Sequence, residues 1–369
     1  MEFAIHRNEL VRELQTVTGI VERRATLPIL ANLLVEADGG ELALGASDLE
    51  VTIRGRARAD VKRPGGITLP AARLHDIARS LPEAEVSFKL LDRNQVVISC
   101  GRTRFRISGQ PREEFPEFPK VDVAAGIRLP ARVLRGMIER VAFAISTEEP
   151  RYMLRGALLL LEKGRITLVA TDGYRLAYIS RAADVSPRGE PLRVIVPRKA
   201  LLEVAKLAEN RDEEGDVLFG LAGNHLFFSV GEHLLTSTIP EGTFPRYEEV
   251  MPTSSRGTVT VSTEELLDAV KRVALLAPER FGHAVRVELG PGKLELSSET
   301  EVGEAHEELP VDYAGEPIVR GFSPRYLTEF LTVVGSESVR LDLECVTAQE
   351  RSRGVQPKDR PSQLQPEPA

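Results

Sequence analysis

Three prolines, Pro70, Pro197 and Pro324, stand at equal intervals along the chain. Each follows a short apolar stretch and opens a helix-like pattern: Ile67-Thr68-Leu69-Pro70-Ala71-Ala72-Arg73-Leu74, Val194-Ile195-Val196-Pro197-Arg198-Lys199-Ala200-Leu201 and Phe322-Ser323-Pro324-Arg325-Tyr326-Leu327. Proline at a helix start sacrifices no hydrogen bond, because that N–H has no partner within the helix. Three such starts at one period predict one domain plan used three times. A second periodicity agrees. Counted from Ile5, Leu129 and Val261, an apolar residue recurs five and nine positions later in every copy: Leu10 and Leu14, Leu134 and Ile138, Leu266 and Val270. Each is a strand running into an amphipathic helix. Ala46-Ser47-Asp48 returns as Ala170-Thr171-Asp172, and Phe115-Pro116 as Phe244-Pro245.

A chain of 369 residues has room for two or three domains. The repeat selects three, at 1–121, 122–252 and 253–345, followed by a tail at 346–369. Each copy reads as alternating strands plus two helices. The six helices are expected near 6–17, 71–81, 131–146, 198–209, 263–276 and 324–334. The class is therefore α+β, with antiparallel sheet and two helices packed on one face. The tail holds four prolines and few apolar residues, so it is expected to form no paired strands and to be disordered. One or two strands of the third copy are then missing. No apolar run is long enough to span a bilayer, and the first residues do not read as a signal peptide. Cys100 and Cys345 are far apart in sequence, which suits reduced thiols in the cytoplasm.

The formal charge is −7, but the six predicted helices together are net positive, so acid is concentrated elsewhere. Their cations include Arg73, Arg79, Arg132, Arg135, Arg140, Arg198, Lys199 and Lys206. If the helices share a face, a polyanion is drawn to it, and arginine and lysine aimed at phosphates bind without reading sequence. A second asymmetry concerns self-association. Arg102, Arg104 and Arg106 surround Phe105 near the end of copy one, whereas Glu299, Glu301 and Glu304 cluster in copy three, near Leu275 and Leu276. Complementary edges at opposite ends of a chain favour head-to-tail assembly, which closes a ring or propagates a filament.

No chemistry of catalysis is visible. The six histidines lack metal-ligand spacing, and no phosphate-cradling glycine loop or nucleophile-elbow motif occurs. Asp48 and Asp172, at matched repeat positions, suit turns better than acid–base work. No enzyme activity, cofactor or metal is expected.

Four stretches carry a family resemblance: Thr26-Leu27-Pro28-Ile29-Leu30-Ala31-Asn32, Val169-Ala170-Thr171-Asp172-Gly173-Tyr174-Arg175-Leu176-Ala177, Val194-Ile195-Val196-Pro197-Arg198-Lys199 and Gly242-Thr243-Phe244-Pro245-Arg246-Tyr247. Across about 1–345 the chain resembles the bacterial sliding clamps, the beta subunits of DNA polymerase III. The resemblance implies the DNA clamp fold, with two chains joined head to tail as a closed ring around duplex DNA. It also implies a non-catalytic processivity role. Arg24, Arg151 and Tyr152 match DNA-contacting loops. Leu154, Thr171, Gly173, Tyr174, Arg175, Leu176, Pro245 and Val250 match a pocket for short linear motifs of polymerase subunits, the clamp loader and repair proteins. The family's ending, a Met-Pro-Met-Arg-Leu-like strand on one side of that pocket, is replaced here by 346–369. Weaker peptide binding than in a full-length relative is therefore expected. The alternative function is a C-terminally altered paralogue acting as scaffold or decoy.

Overall fold

A computed structural model describes residues 1–21, 27–148, 151–187, 189–209, 215–277, 284–343, 346–347 and 363–366. Contacts divide the chain into two units. One is Met1–Asp172 with Tyr178–Thr243; the other is Gly173–Ala177 with Phe244–Ala369.

In copy one, β1 (Glu2–His6) runs into α1 (Arg7–Val17). Then come β2 (Asn32–Asp38), β3 (Glu41–Ser47), β4 (Val51–Arg58), β5 (Asp60–Arg63), β6 (Gly65–Pro70), α2 (Ala71–Ser80), β7 (Glu85–Leu90), β8 (Gln95–Cys100) and β9 (Thr103–Ser108). Copy two repeats the order: β10 (Ile127–Pro130), α3 (Ala131–Val141), β11 (Gly156–Glu162), β12 (Arg165–Thr171), β13 (Leu176–Ala182), β14 (Leu192–Pro197), α4 (Arg198–Glu209), β15 (Asp216–Ala222), β16 (His225–Val230) and β17 (His233–Thr238). Copy three holds β18 (Pro252–Ser254), β19 (Gly257–Ser262), α5 (Thr263–Ala274), β20 (Val285–Gly290), β21 (Lys293–Thr300), β22 (Gly303–Pro310), β23 (Ile318–Phe322), α6 (Pro324–Val333), β24 (Ser338–Leu343), β25 (Val346–Thr347) and β26 (Gln363–Pro366). Pro324 is the first residue of α6, whereas Pro70 and Pro197 close the preceding strand, one position earlier.

Every copy builds the same two antiparallel sheets. The first runs β5-β1-β7-β8-β9, β10-β15-β16-β17 and β19-β24-β26 in copies one, two and three; the second runs β4-β3-β2-β6, β13-β12-β11-β14 and β22-β21-β20-β23. In each copy the two helices pack on one another and on these sheets. The apolar stripe of the first helix is the same each time. It comprises Leu10, Glu13, Leu14 and Val17, then Leu134, Met137, Ile138 and Val141, then Leu266, Ala269, Val270 and Val273, all buried. This i, i+3, i+4, i+7 spacing keeps four side chains facing the core.

Glu13 is the one charged member of that stripe, and its place follows from the junction of copies one and two. There β17 pairs with β4, with Leu235 opposite Ile53 and Thr236 opposite Thr52, so two four-stranded sheets become one of eight. The carboxylate of Glu13 meets Nε2 of His233 at 2.8 Å across this seam. A cross-strand apolar row also runs through it: Phe219 opposite Phe228, Phe228 opposite Leu235, Leu235 opposite Ile53.

The tail departs from expectation. β25 pairs with β18, and β26 pairs with β24, with Leu341 opposite Leu364. Composition is a poor guide here because β26 is an edge strand, where the N–H missing from Pro366 costs no inner ladder bond. Gln365 fits its neighbours: its amide oxygen accepts from Arg340 at 2.8 Å and its nitrogen donates to Asp342 at 3.3 Å. β26 takes the place that β8 and β16 hold in the other copies. Among the described residues no strand of copy three corresponds to β9 or β17.

Candidate nucleic-acid and self-association surfaces

The helix cations divide by what holds them. Arg73 and Arg79 on α2 and Arg198 on α4 are exposed and have no ion pair among the described residues. Arg132 is exposed on α3. Lys206 is exposed and donates to Glu203 at 2.7 Å. Arg135 donates to Glu139 at 2.8 Å, and that hydrogen bond raises its pKa. Arg140 turns back to the carbonyl of Gly136 at 2.9 Å. Lys199 ties α4 to copy one, since its ammonium pairs with Asp48 and donates to the carbonyl of Ile20 at 2.9 Å. Asp48 is a turn residue as expected, since its side chain also accepts from the backbone N–H groups of Glu50 and Val51. Arg151 donates to the carbonyl of Asp172 at 2.7 Å, beside exposed Tyr152. Arg24 lies outside the described residues.

The two ends of the repeat series are open. β9 is the edge of its sheet and β22 is the edge of its own. Arg102, Arg104 and Arg106 are exposed on the first; Glu299, Glu301 and Glu304 are exposed on or beside the second. Among the described residues none of these six side chains has an ion pair. Their neighbours do: Glu307 on β22 accepts from Arg272 of α5 at 2.8 Å, and this hydrogen bond lowers the carboxyl pKa. An apolar row also stops at β9. Phe3 lies opposite Phe88, Phe88 opposite Ile98, and Ile98 opposite the half-buried Phe105. The corresponding row of copy two does not stop; it passes from Leu235 into Ile53 of the neighbouring copy. Beyond α5, Leu275 is 83% exposed, with Leu276 half-buried after it. Val302, in the turn before β22, is 87% exposed. Sequence reading missed Val302, because exposure in a hairpin turn leaves no periodic signal.

The residues matched to the peptide pocket are distributed over both units. Leu154 and Thr171, in the first, are buried. In the second, Gly173 takes φ +92°, a left-handed turn that favours glycine, and Tyr174 after it is exposed. Arg175 and Leu176 are half-buried, while Pro245 and Val250 are exposed. Arg175 is anchored on α6. Its guanidinium pairs with Glu329 on α6 and lies 4.3 Å from the ring centre of Tyr326.

One cluster with metal-ligand types escaped the spacing rules. Glu295, His306 and Glu308 bring ligand atoms within 4.8 Å of one another across the β21–β22 pair. Lys293 already fills this space. Its ammonium donates to Glu295 at 2.9 Å and to Glu308 at 3.1 Å, which raises its own pKa and lowers that of Glu295. The cluster is a lysine-centred ion-pair network.

Three family matches tile the chain. Residues 1–119 match the DNA polymerase III beta subunit, N-terminal domain; 128–246 match its central domain; 248–352 match its C-terminal domain. The chain belongs to the DNA polymerase III beta-subunit family. This beta subunit is 38% identical over 345 residues to the beta sliding clamp of Pseudomonas putida, covering 93% of each chain. It is 33% identical over 352 residues to that of Vibrio cholerae, covering 94% of each. Among solved structures, the Pseudomonas aeruginosa DNA polymerase III subunit beta superposes with a TM-score of 0.86 at 37% identity, over 93% of both chains. The P. aeruginosa sliding clamp bound to griselimycin gives the same score and identity, over 93% of this chain and 92% of that one. As a family member, this beta subunit is a DNA sliding clamp, a processivity factor and not a catalyst. Among its described residues no helix is long and apolar enough to cross a membrane.

Proposed function

We infer that two chains join head to tail, β9 of one to β22 of the other, and that the resulting ring encircles duplex DNA. One observation carries this reading. The β17–β4 seam is continuous within the chain, whereas β9 and β22 are open edges with opposite charges that have no ion pair among the described residues. Joining β9 to β22 completes the pairing that the repeat already uses once. Phe105 then gains the cover that Leu235 has from Ile53, with Leu275 and Leu276 as the apolar wall. The residues of this seam are Arg102, Arg104, Phe105 and Arg106 on one side, and Leu275, Leu276, Glu299, Glu301 and Glu304 on the other.

Inside the ring, Arg73, Arg79, Arg132, Arg198 and Lys206 supply phosphate contacts. Long side chains on phosphates hold a duplex without fixing its register, so the ring can slide. Arg135 and Arg140 contribute less, because each is engaged by its own helix, and Lys199 serves the seam of copies one and two. Arg24, Arg151 and Tyr152 extend the same surface through loops.

The positions from Leu154 to Val250 take short peptide motifs of polymerase subunits, the clamp loader and repair proteins, in the cytoplasm. Support comes from the 37% identity to the P. aeruginosa clamp solved with griselimycin. Light scattering on the purified chain at micromolar concentration tests the ring. A two-chain mass is expected, and a strictly one-chain mass would sink the head-to-tail closure.

A further inference from the structure

We propose that the solvent face of β2, β3 and β4 in copy one is a docking site for an extended segment of a partner protein in which acidic and basic residues alternate. Side chains on these strands point by turns to the core and to solvent. Leu42, Leu44 and Ile53 take the core side. On the other side, Gly45 lies opposite Arg54, Ala43 opposite Arg56 and Glu41 opposite Arg58. Glu36 lies opposite Ala43, and Asp38 opposite Glu41. The β4 side is thus a bank of three cations, and the β2–β3 hairpin is a bank of anions. The small side chain of Ala43 between them leaves a depression of about 480 Å³. One end is closed. The Phe118 ring rests on Gly45, where a Cβ would lie 2.4 Å from it, and Arg54 reaches across to Glu36 at 3.1 Å. The other end opens past the Gly39–Gly40 turn, whose residues take φ +55° and +84° and present no side chain.

The charges nearest the open end are uncommitted. Glu36 is held by Arg54 and by Arg112 at 3.3 Å. Arg56, Arg58, Asp38 and Glu41 are exposed and have no ion pair among the described residues. An extended peptide lying between the banks sends successive side chains to opposite sides, with a repeat of about 7 Å. The same repeat separates Arg56 from Arg58 along β4. Acidic residues at every second position therefore meet both guanidiniums, which suit carboxylates. The intervening basic residues meet Asp38 and Glu41. A nucleic acid fits less well, because its unbroken row of phosphates would run beside those two carboxylates.

The test titrates the full chain at low salt with a fluorescent octapeptide of alternating Glu and Lys. Like charges four positions apart keep this peptide out of a helix. The control peptide, Glu-Glu-Lys-Lys twice over, has the same composition without the two-residue period. The alternating peptide is expected to bind about tenfold more tightly than the control, and to lose affinity as salt rises. Arg56→Glu should weaken it about tenfold. Ala43→Gln, which raises the floor of the depression, should weaken it severalfold. In both variants the unfolding temperature and the mass in solution should match the unaltered chain. Absence of binding, equal binding of the two peptides, or unchanged affinity in both variants would overturn the inference. So would a single-stranded oligonucleotide that binds the chain and is released by Arg56→Glu, which would make the face one for nucleic acid. None of these results bears on the ring.

Discussion

A chain carrying Leu275→Asp is expected to sediment as a monomer where the unaltered chain is a dimer. Leu275 lies just past the end of α5 and has almost no cover within its own chain, so the folded monomer loses little by the change. At a two-chain seam the same residue becomes a buried apolar anchor. Aspartate there would bury a charge without a partner, and it would add to the negative potential of Glu299, Glu301 and Glu304. Central anchors of this kind carry much of the affinity of an interface, so the dimer should weaken about a hundredfold or more. Sedimentation velocity across a concentration series reads this directly. An unchanged dimer would place the contact on another surface. Arg104→Glu should act in the same direction with stronger salt dependence, because it reverses one of the unpaired charges on β9.

Phe88→Ala is expected to cost the first unit about 3–5 kcal/mol of stability. Phe88 is fully buried and stacks on Phe3, with ring centres 4.7 Å apart and planes 6° from parallel. Both belong to the row that ends at Phe105, so the cavity would also remove support from the proposed seam. Calorimetry should show the transition of the unit holding copies one and two falling by roughly 10 °C. The unit built on copy three, with its own core around Val261, Leu289 and Leu331, should unfold as before. A fall of less than about 1 kcal/mol would mean that the row is loosely packed and that Phe105 has no rigid backing.

What the sequence made legible, and what it hid, follows from the range of the interactions. The strand-to-helix anchors Ile5, Leu10 and Leu14, with their counterparts, were readable because burial on a helix repeats with the backbone period. The open edges were readable because unpaired like charges concentrate in short stretches, as at Arg102, Arg104 and Arg106. The hidden features are pairs between distant residues. Lys199 and Asp48 are 151 positions apart, Arg175 and Glu329 154, and Glu13 and His233 220. No local pattern marks either member of such a pair. Lys199 therefore read as one more helix cation. β26 was hidden for a related reason: its fit depends on Arg340 and Asp342 of β24, not on its own proline-rich composition.

The central claim is topological, and it is tested by loading the chain onto a nicked circular plasmid with its clamp loader and then raising the salt. Phosphate contacts alone weaken steeply as salt rises, whereas a closed ring remains threaded. The account predicts that the protein co-migrates with the circle in high salt and leaves once the plasmid is cut to a linear form. Loss from the intact circle at high salt, or equal retention on circle and linear DNA, would contradict it.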